Sequence, residues 1–186
     1  LDVHQAINVE GTRNVAAAAR QAGARLVHVS SINALGLGRL DAPADEETAL
    51  PGIAPVPYVT TKQAAERVVL DEVNRGLWAT IVNPATMFGP WDWKPSSGKM
   101  LLEVSQFALF APVGPGSFCD VRDVTAGVLA AADHGQPGRR YILAGHNLAF
   151  REFWTQIAGL VGKRGPRLPM GPIFRAVAAP ICDLRT

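Results

Sequence analysis

The stretch ARLVHVSS, Ala24–Ser31, decides how this chain folds. It is an apolar, β-branched run that ends in a serine pair. A run that short and that unbroken reads as a strand buried on both faces, as in a parallel sheet. Upstream, LDVHQAINVEGTRNVAAAARQAG (1–23) reads as a helix, with Val3, Ile7, Val15, Ala18, Ala19 and Ala22 at roughly helical spacing and Gly23 as its stop. Downstream, a polar, proline-spotted loop covers roughly 33–57. PVPYVTTKQAAERVV (55–69) then opens a second helix, from Tyr58 to about Arg75, with Ala65, Val68, Val69 and Val73 as its buried stripe and Gly76 as its terminator. LWATIVNPATMFGP (77–90) is a second buried strand, broken by Pro84. Residues 91–118 read as irregular or weakly helical. FCDVRD (118–123) reads as a short strand, with Asp123 as N-cap of the helix VTAGVLAAADH (124–134). RRYILAG (139–145) is another strand and AFREFWTQIAGLVG (149–162) another helix. Strands alternating with helices imply an α/β protein built on a mainly parallel sheet.

Composition narrows the function classes. Lysine plus arginine number 18 against 16 acidic residues, and the basic residues form no run, so no nucleic-acid or membrane surface is signalled. Two cysteines, Cys119 and Cys182, stand far apart with no CxxC or Cys/His cluster. They signal no metal site and point to a reducing compartment, so the protein is read as cytoplasmic. No apolar run reaches transmembrane length. The chain opens directly in a helix, without methionine or lead-in, and reads as a fragment.

The chemistry-bearing signal is Tyr58-Val59-Thr60-Thr61-Lys62. Residues four apart share a helix face, so phenol and ammonium point the same way at a helix N-terminus. There the lysine charge and the positive end of the helix dipole both favour a phenolate. In parallel α/β sheets ligands sit outside the carboxyl ends of the strands. Ser30-Ser31 ends one strand, NPATMFGP ends the next, and Tyr58 opens the helix between them. Three polar features therefore converge on one sheet edge.

Taken in order, NVEGTRNV, LVHVSS, YVTTK, VNPATMFGP, DVRDV and RRYILAG give the chain a resemblance, nearly end to end, to the extended branch of the short-chain dehydrogenase/reductase superfamily. This is the NAD-dependent epimerase/dehydratase family, and the likeness is closest to its dihydroflavonol-reductase-like and hopanoid-associated sugar-epimerase-like members. The resemblance implies a Rossmann-like, doubly wound parallel sheet, incomplete because the first βαβ units are missing, with a small C-terminal substrate-binding part. Residues 1–90 would be the later half of the dinucleotide-binding domain. Residues 91–186 would mix the substrate-binding part with the last Rossmann elements. NAD or NADP is the implied cofactor, and a carbonyl, alcohol or sugar the implied small-molecule substrate. A homodimer through the helices that include the Tyr58 helix is implied as well.

Carried over by residue, the family implies Tyr58 as general acid/base and Lys62 as its supporting cation and ribose ligand. Ser31 would polarise the substrate oxygen, with Ser30 the lesser choice beside the cofactor. Asn8 matches a helix asparagine associated with a proton-relay water. Pro84, Thr86 and Met87 would line the nicotinamide. Asn33, Trp91 and Trp93 are substrate-side candidates, the tryptophans being equally readable as loop packing, and Ser96 and Ser97 are weaker phosphate candidates. His28, inside an apolar strand, reads as a core histidine, and Cys119 as packing.

Three departures shape the reading. The Gly-rich dinucleotide fingerprint after a first strand is absent, which fits truncation; Gly36-Leu37-Gly38 opens no helix and is a poor substitute. Family dehydratases carry an acidic pair after the first catalytic hydroxyl, whereas Ser31 is followed by Ile32 and Asn33. Gly116 stands where nucleotide-sugar epimerases often hold an arginine. The expectation is therefore an NAD(P)-dependent reductase or dehydrogenase. The alternatives are a nucleotide-sugar epimerase using Lys94 or Lys99 for phosphate, and a non-catalytic dinucleotide-sensing protein on the same fold.

Overall fold

The computed structural model describes residues 3–36, 38–48, 56–93, 96–106 and 109–170. A π-helical stretch, Gln5–Glu10, runs into α1 (Gly11–Gln21) and is followed by β1 (Leu26–Val29) and a 3-10 turn (Ile32–Ala34). Next come α2 (Pro57–Asn74), β2 (Ala79–Pro84), β3 (Thr86–Phe88), α3 (Ser97–Gln106) and β4 (Phe110–Pro112). The remainder is β5 (Pro115–Asp120), α4 (Val121–His134), β6 (Arg140–Leu143), β7 (His146–Ala149), α5 (Phe150–Leu160) and β8 (Leu168–Met170). These elements form two compact units, Leu1–Met87 with Cys119–Gly145, and Phe88–Phe118 with His146–Thr186.

The first unit is built on the parallel sheet β1-β2-β6. Val29 pairs with Val82 in one ladder and Val82 with Tyr141 in the next. All six residues of β2 are buried, as a central parallel strand covered on both faces requires. Successive side chains of β2 point to opposite faces. Ala79 and Ile81 join Leu77, Ala16 of α1 and Val69 of α2 in one core cluster. Thr80 faces the other way, and a Cβ on Gly135, at the end of α4, would come within 3.2 Å of its methyl group. Helices thus cover both faces, and the α/β, Rossmann-like expectation holds.

Helix α2 matches its sequence signals closely. Pro57 stands in the first turn, where its missing N–H costs nothing. At the other end Gly76 takes a positive φ of 99°, and the Leu77 N–H returns to the Glu72 carbonyl. Ala65, Val68 and Val69 are buried, and Val73 packs against them.

The first helix departs from its reading. Val3, Ile7 and Val15 are 68%, 67% and 56% exposed, while Val9 and Ala16 are buried. The π-helical stretch and α1 lie against α2, so the side chains on that face, Val9 and Ala16, are buried while Val3, Ile7 and Val15 fall outside it. FCDVRD is also divided: β5 ends at Asp120, and Val121 already begins α4. The N-cap of α4 is therefore Asp120, not Asp123. Asp120 has the extended backbone of a cap (φ −80°, ψ 136°), and its carboxylate accepts the Arg122 N–H at 2.8 Å.

In the second unit β5 pairs antiparallel with β7, and β4 pairs parallel with β8. Phe118 and Phe153 stack with centroids 4.0 Å apart, and Phe88 and Phe150 close around them. A second cluster holds Val104 of α3, Ala111, Trp154 and Ile157. Beside the short strand β4, helix α3 realises the weakly helical reading of residues 91–118. Its start is organised by Asp92, whose carboxylate accepts the N–H groups of Ser96 and Gly98.

Candidate active site

The site candidates of the first unit gather where β1 and β2 end and α2 begins. Ser30 continues the ladder beyond β1, donating its N–H to Val82 O at 2.8 Å. Ser31 then turns the chain as N-cap of the 3-10 turn, and its Oγ accepts the Asn33 N–H at 3.2 Å. The hydroxyl proton of Ser31 is left to donate elsewhere. Both serines are buried, and Ser30 Oγ finds no partner among the described residues. Asn33 is exposed.

Helix α2 is tied to that strand end at several points. Lys62 Nζ donates to Val29 O at 3.4 Å, and Gln63 Nε2 to Ala34 O at 3.5 Å. These bonds bracket Ser30 and Ser31 from either side, so the serines lie beside the turn that carries Tyr58. The Tyr58 ring centre is 6.0 Å from Lys62 Nζ, and the residue is 38% exposed. Asn8 falls in the π-helical stretch and donates to Thr61 Oγ at 3.0 Å. Its partner is thus the residue beside Lys62.

The Pro84–Met87 segment follows β2. Pro84 and Ala85 are buried, and Ala85 donates its N–H to Leu143 O. Met87 packs with Ile32, Ala85, Cys119 and Val124, so its side chain belongs to the core. The Thr86 carbonyl receives the Cys119 thiol at 3.8 Å. Burial pushes that thiol's pKa up, which makes Cys119 a packing residue rather than a nucleophile. Trp91 and Trp93 belong to the second unit, with ring centroids 5.6 Å apart and 76% and 82% exposure. Trp91 holds a positive φ of 74°. Lys94 lies outside the described residues, and Lys99 pairs with Glu103 at 3.8 Å.

Electrostatics around β1 are set by burial. Desolvation, helped by the Lys62 charge, lowers the pKa of His28 to about 4 against a partial opposing pull from Glu66. His28 is therefore neutral, and its Nε2 has no partner among the described residues. Sequence reading missed three polar residues next to the site: Glu66 (2% exposed), Asn83 (0%) and Arg140. Asn83 Nδ2 donates to Ser31 O at 3.0 Å and to Glu66 Oε1 at 2.7 Å, and Arg140 Nε donates to Glu66 Oε2 at 2.8 Å. The signal was present for one of them, since Glu66 falls in register with the buried stripe of α2. Among the described residues no His, Cys, Asp and Glu cluster is fit to hold a metal ion, and no helix is long and apolar enough to cross a membrane.

Residues 2–144 match the model of the NAD dependent epimerase/dehydratase family. The chain belongs to that family, a branch of the extended short-chain dehydrogenases/reductases. It is 38% identical over 170 residues to sterol demethylase protein B of Methylococcus capsulatus, covering 89% of this chain and 52% of the relative. It is 34% identical over 185 residues to a 4-hydroxy-2-methyl-3-oxo-4-farnesyl-3,4-dihydroquinoline-1-oxide ketoreductase of Stigmatella aurantiaca, covering 96% of this chain and 54% of the relative. Among solved structures, a nucleoside-diphosphate-sugar epimerase from Pseudomonas aeruginosa superposes with a TM-score of 0.82 at 25% identity, over 95% of this chain and 61% of the other. The chain spans about half the length of the curated relatives it matches.

Proposed function

We propose that the protein carrying this chain is an NAD(P)-dependent reductase or dehydrogenase acting on an apolar carbonyl or alcohol. The observation that carries the reading is the docking of the Tyr58–Lys62 turn onto the strand end that holds Ser30 and Ser31. The residues present suit the nicotinamide end of the cofactor. Among the described residues Lys62 makes one long bond, to Val29, which keeps donors for a ribose, and buried Ser30 Oγ lacks a partner there. Pro84, Thr86 and Met87 supply the neighbouring main chain. When bound, the nicotinamide supplies or accepts the hydride.

The chain's own residues manage the proton. A carbonyl that accepts hydride becomes an alkoxide and needs a proton, which the Tyr58 phenol gives; in the reverse direction Tyr58 takes it from the alcohol. Ser31, with its Oγ held by the Asn33 N–H, donates to the same oxygen and stabilises its developing charge. Lys62 holds the ribose and stands one turn from the tyrosine, its Nζ 6.0 Å from the ring centre. Asn8 steadies the first turns of α2 through Thr61 and stands as the relay candidate.

An apolar substrate is supported by the names of the two curated relatives, one a sterol-pathway protein and one a ketoreductase of a farnesyl-bearing ring system. Gly116 in place of an arginine points the same way, and Asn33 is the proposed substrate contact of the first unit, with Trp91 and Trp93 the candidates carried by the second. The likeness to a nucleoside-diphosphate-sugar epimerase favours a second reading, epimerisation of a nucleotide sugar. A homodimer through the helices that include α2 is proposed as well, testable by light scattering.

Incubating the protein with NADH or NADPH and phenanthrenequinone, and in parallel with NAD or NADP and UDP-glucose, separates the readings. Oxidation of the reduced cofactor by the quinone is expected. Conversion of UDP-glucose to its 4-epimer would establish the second reading instead. Cofactor binding without turnover of either probe would favour a dinucleotide-sensing protein.

A further inference from the structure

The polar chain Arg140–Glu66–Asn83–Ser31, buried except at the 31% exposed Arg140, has no part in proton transfer, yet it joins the two halves of the proposed site. Glu66 lies four residues beyond Lys62 and eight beyond Tyr58, on the same side of α2. Asn83 follows Val82, the last β2 residue paired with β1: Ser30 N–H still reaches Val82 O, and Ser31 O accepts from the Asn83 side chain as well as from the Ala34 N–H. Both Nδ2 protons of Asn83 are therefore committed, one to Ser31 and one to Glu66. Arg140, from β6, compensates the carboxylate that this arrangement buries.

We propose that Asn83 and Glu66 are positioning residues that fix the Ser31 turn against the Tyr58 helix, with Arg140 as the charge that lets Glu66 stay buried. This rests on the catalytic reading of Ser31 and Tyr58 given above. A buried ion pair is weak as a source of stability, because apolar residues of similar volume often serve as well or better. What the network supplies is geometry. Ser31 is held through its carbonyl by Asn83 and the Ala34 N–H and through its Oγ by the Asn33 N–H, which fixes where the Oγ stands and leaves its proton to donate. The same amide is anchored to α2, so a shift of the helix would move the serine with it.

Two variants of the full protein test the proposal, Asn83→Leu and the double variant Glu66→Met with Arg140→Met, with Ile81→Val on the same strand as the control for packing loss. Reduction of phenanthrenequinone by NADPH, NADPH affinity, thermal stability and the exchange rate of the Asn33 amide are measured for each. In both test variants kcat should fall by about tenfold to a hundredfold, the scale of a misplaced reacting group, with NADPH affinity within about threefold. Asn33 exchange should quicken by about tenfold in the same proteins, as expected when a local restraint opens. Ile81→Val should change neither. The double variant, which buries no unpaired charge, should fold even if Asn83→Leu does not. A folded test variant with wild-type kcat and wild-type Asn33 exchange overturns the proposal. If the wild-type protein turns over neither probe, the catalytic reading fails by itself; Asn33 exchange then decides the restraint, quickening sustaining it and no change overturning it.

Discussion

The Lys62 ammonium sits between two groups, 6.0 Å from the centre of the Tyr58 ring and 3.4 Å from the carbonyl oxygen of Val29. One helical turn thus presents a partly exposed phenol while its lysine grips the last residue of the neighbouring strand. The arrangement fixes where the tyrosine stands relative to Ser30 and Ser31, and it makes the two side chains separable by mutation.

Tyr58→Phe keeps the ring and removes only the proton donor. Turnover should fall by about 10²-fold or more, the usual share of general acid–base catalysis, while cofactor affinity stays near wild type. Single-turnover hydride transfer and calorimetric binding on one preparation check this. A loss smaller than about tenfold would remove Tyr58 from the acid/base role.

Lys62→Met should weaken cofactor binding and rate together, because one group serves the ribose and the tyrosine. The contrast with Tyr58→Phe is the measurement: affinity is expected to move in the lysine variant alone. Equal cofactor affinities in the two variants would make Lys62 a strand anchor and nothing more.

Thr61→Val tests the link between the first helix and α2. Thr61 is 5% exposed, and its Oγ accepts from Asn8 Nδ2 at 3.0 Å while donating to Pro57 O at 2.7 Å. Removing the hydroxyl leaves a partly buried amide without its acceptor, at a cost of about 1–3 kcal/mol in urea unfolding. A double-mutant cycle with Asn8→Ala should show coupling of about 0.5 kcal/mol or more, as contacting residues do. Simple additivity would mean the bond contributes nothing.

His28 makes stability depend on pH with a defined sign. Its pKa is lowered from 6.5 to about 4 in the fold, so the unfolded chain binds the proton more readily. Stability is then fully present above about pH 6.5, declines as pH falls through the window, and changes no further from this group below about 4. The lowering corresponds to about 3 kcal/mol across the window. Chemical denaturation at stepped pH should show this slope, and His28→Val should flatten it. An unaltered slope in the variant would assign acid sensitivity to the carboxylates.

Much of the fold could be read along the chain because its signals are local. Pro57 and Gly76 bracket α2, and apolar runs mark β1 and β2, so these elements stand where expected, although β1 is half-buried rather than buried, with Val29 45% exposed. The Tyr58/Lys62 pair follows from helical spacing alone. What escaped depends on partners far away in sequence. Val3, Ile7 and Val15 look like a core stripe until α2 is known to lie on the other side, where Val9 and Ala16 fit. Glu66 in isolation reads as a solvated helix glutamate; only Asn83 and Arg140, from two other strands, make it a core residue. Asp120 and Asp123 are equally good caps by type, and the choice turned on where β5 lets go of the sheet.

The π-helical stretch Gln5–Glu10 has a bearing on how this helix can vary in length. Its last bond runs from Gly11 N–H back to Ala6 O, five residues instead of four, so the stretch carries an extra residue while α1 continues beyond it. In an ordinary helix the loss of one residue rotates everything beyond it by about 100° and misdirects every contact. Here a single deletion would relax the wide turn to normal pitch and leave both flanks facing as before. Homologous helices should therefore tolerate a one-residue gap at this point and at no other along their length. A gap that removes Asn8 itself would keep the helix in phase and still cut its reach to Thr61.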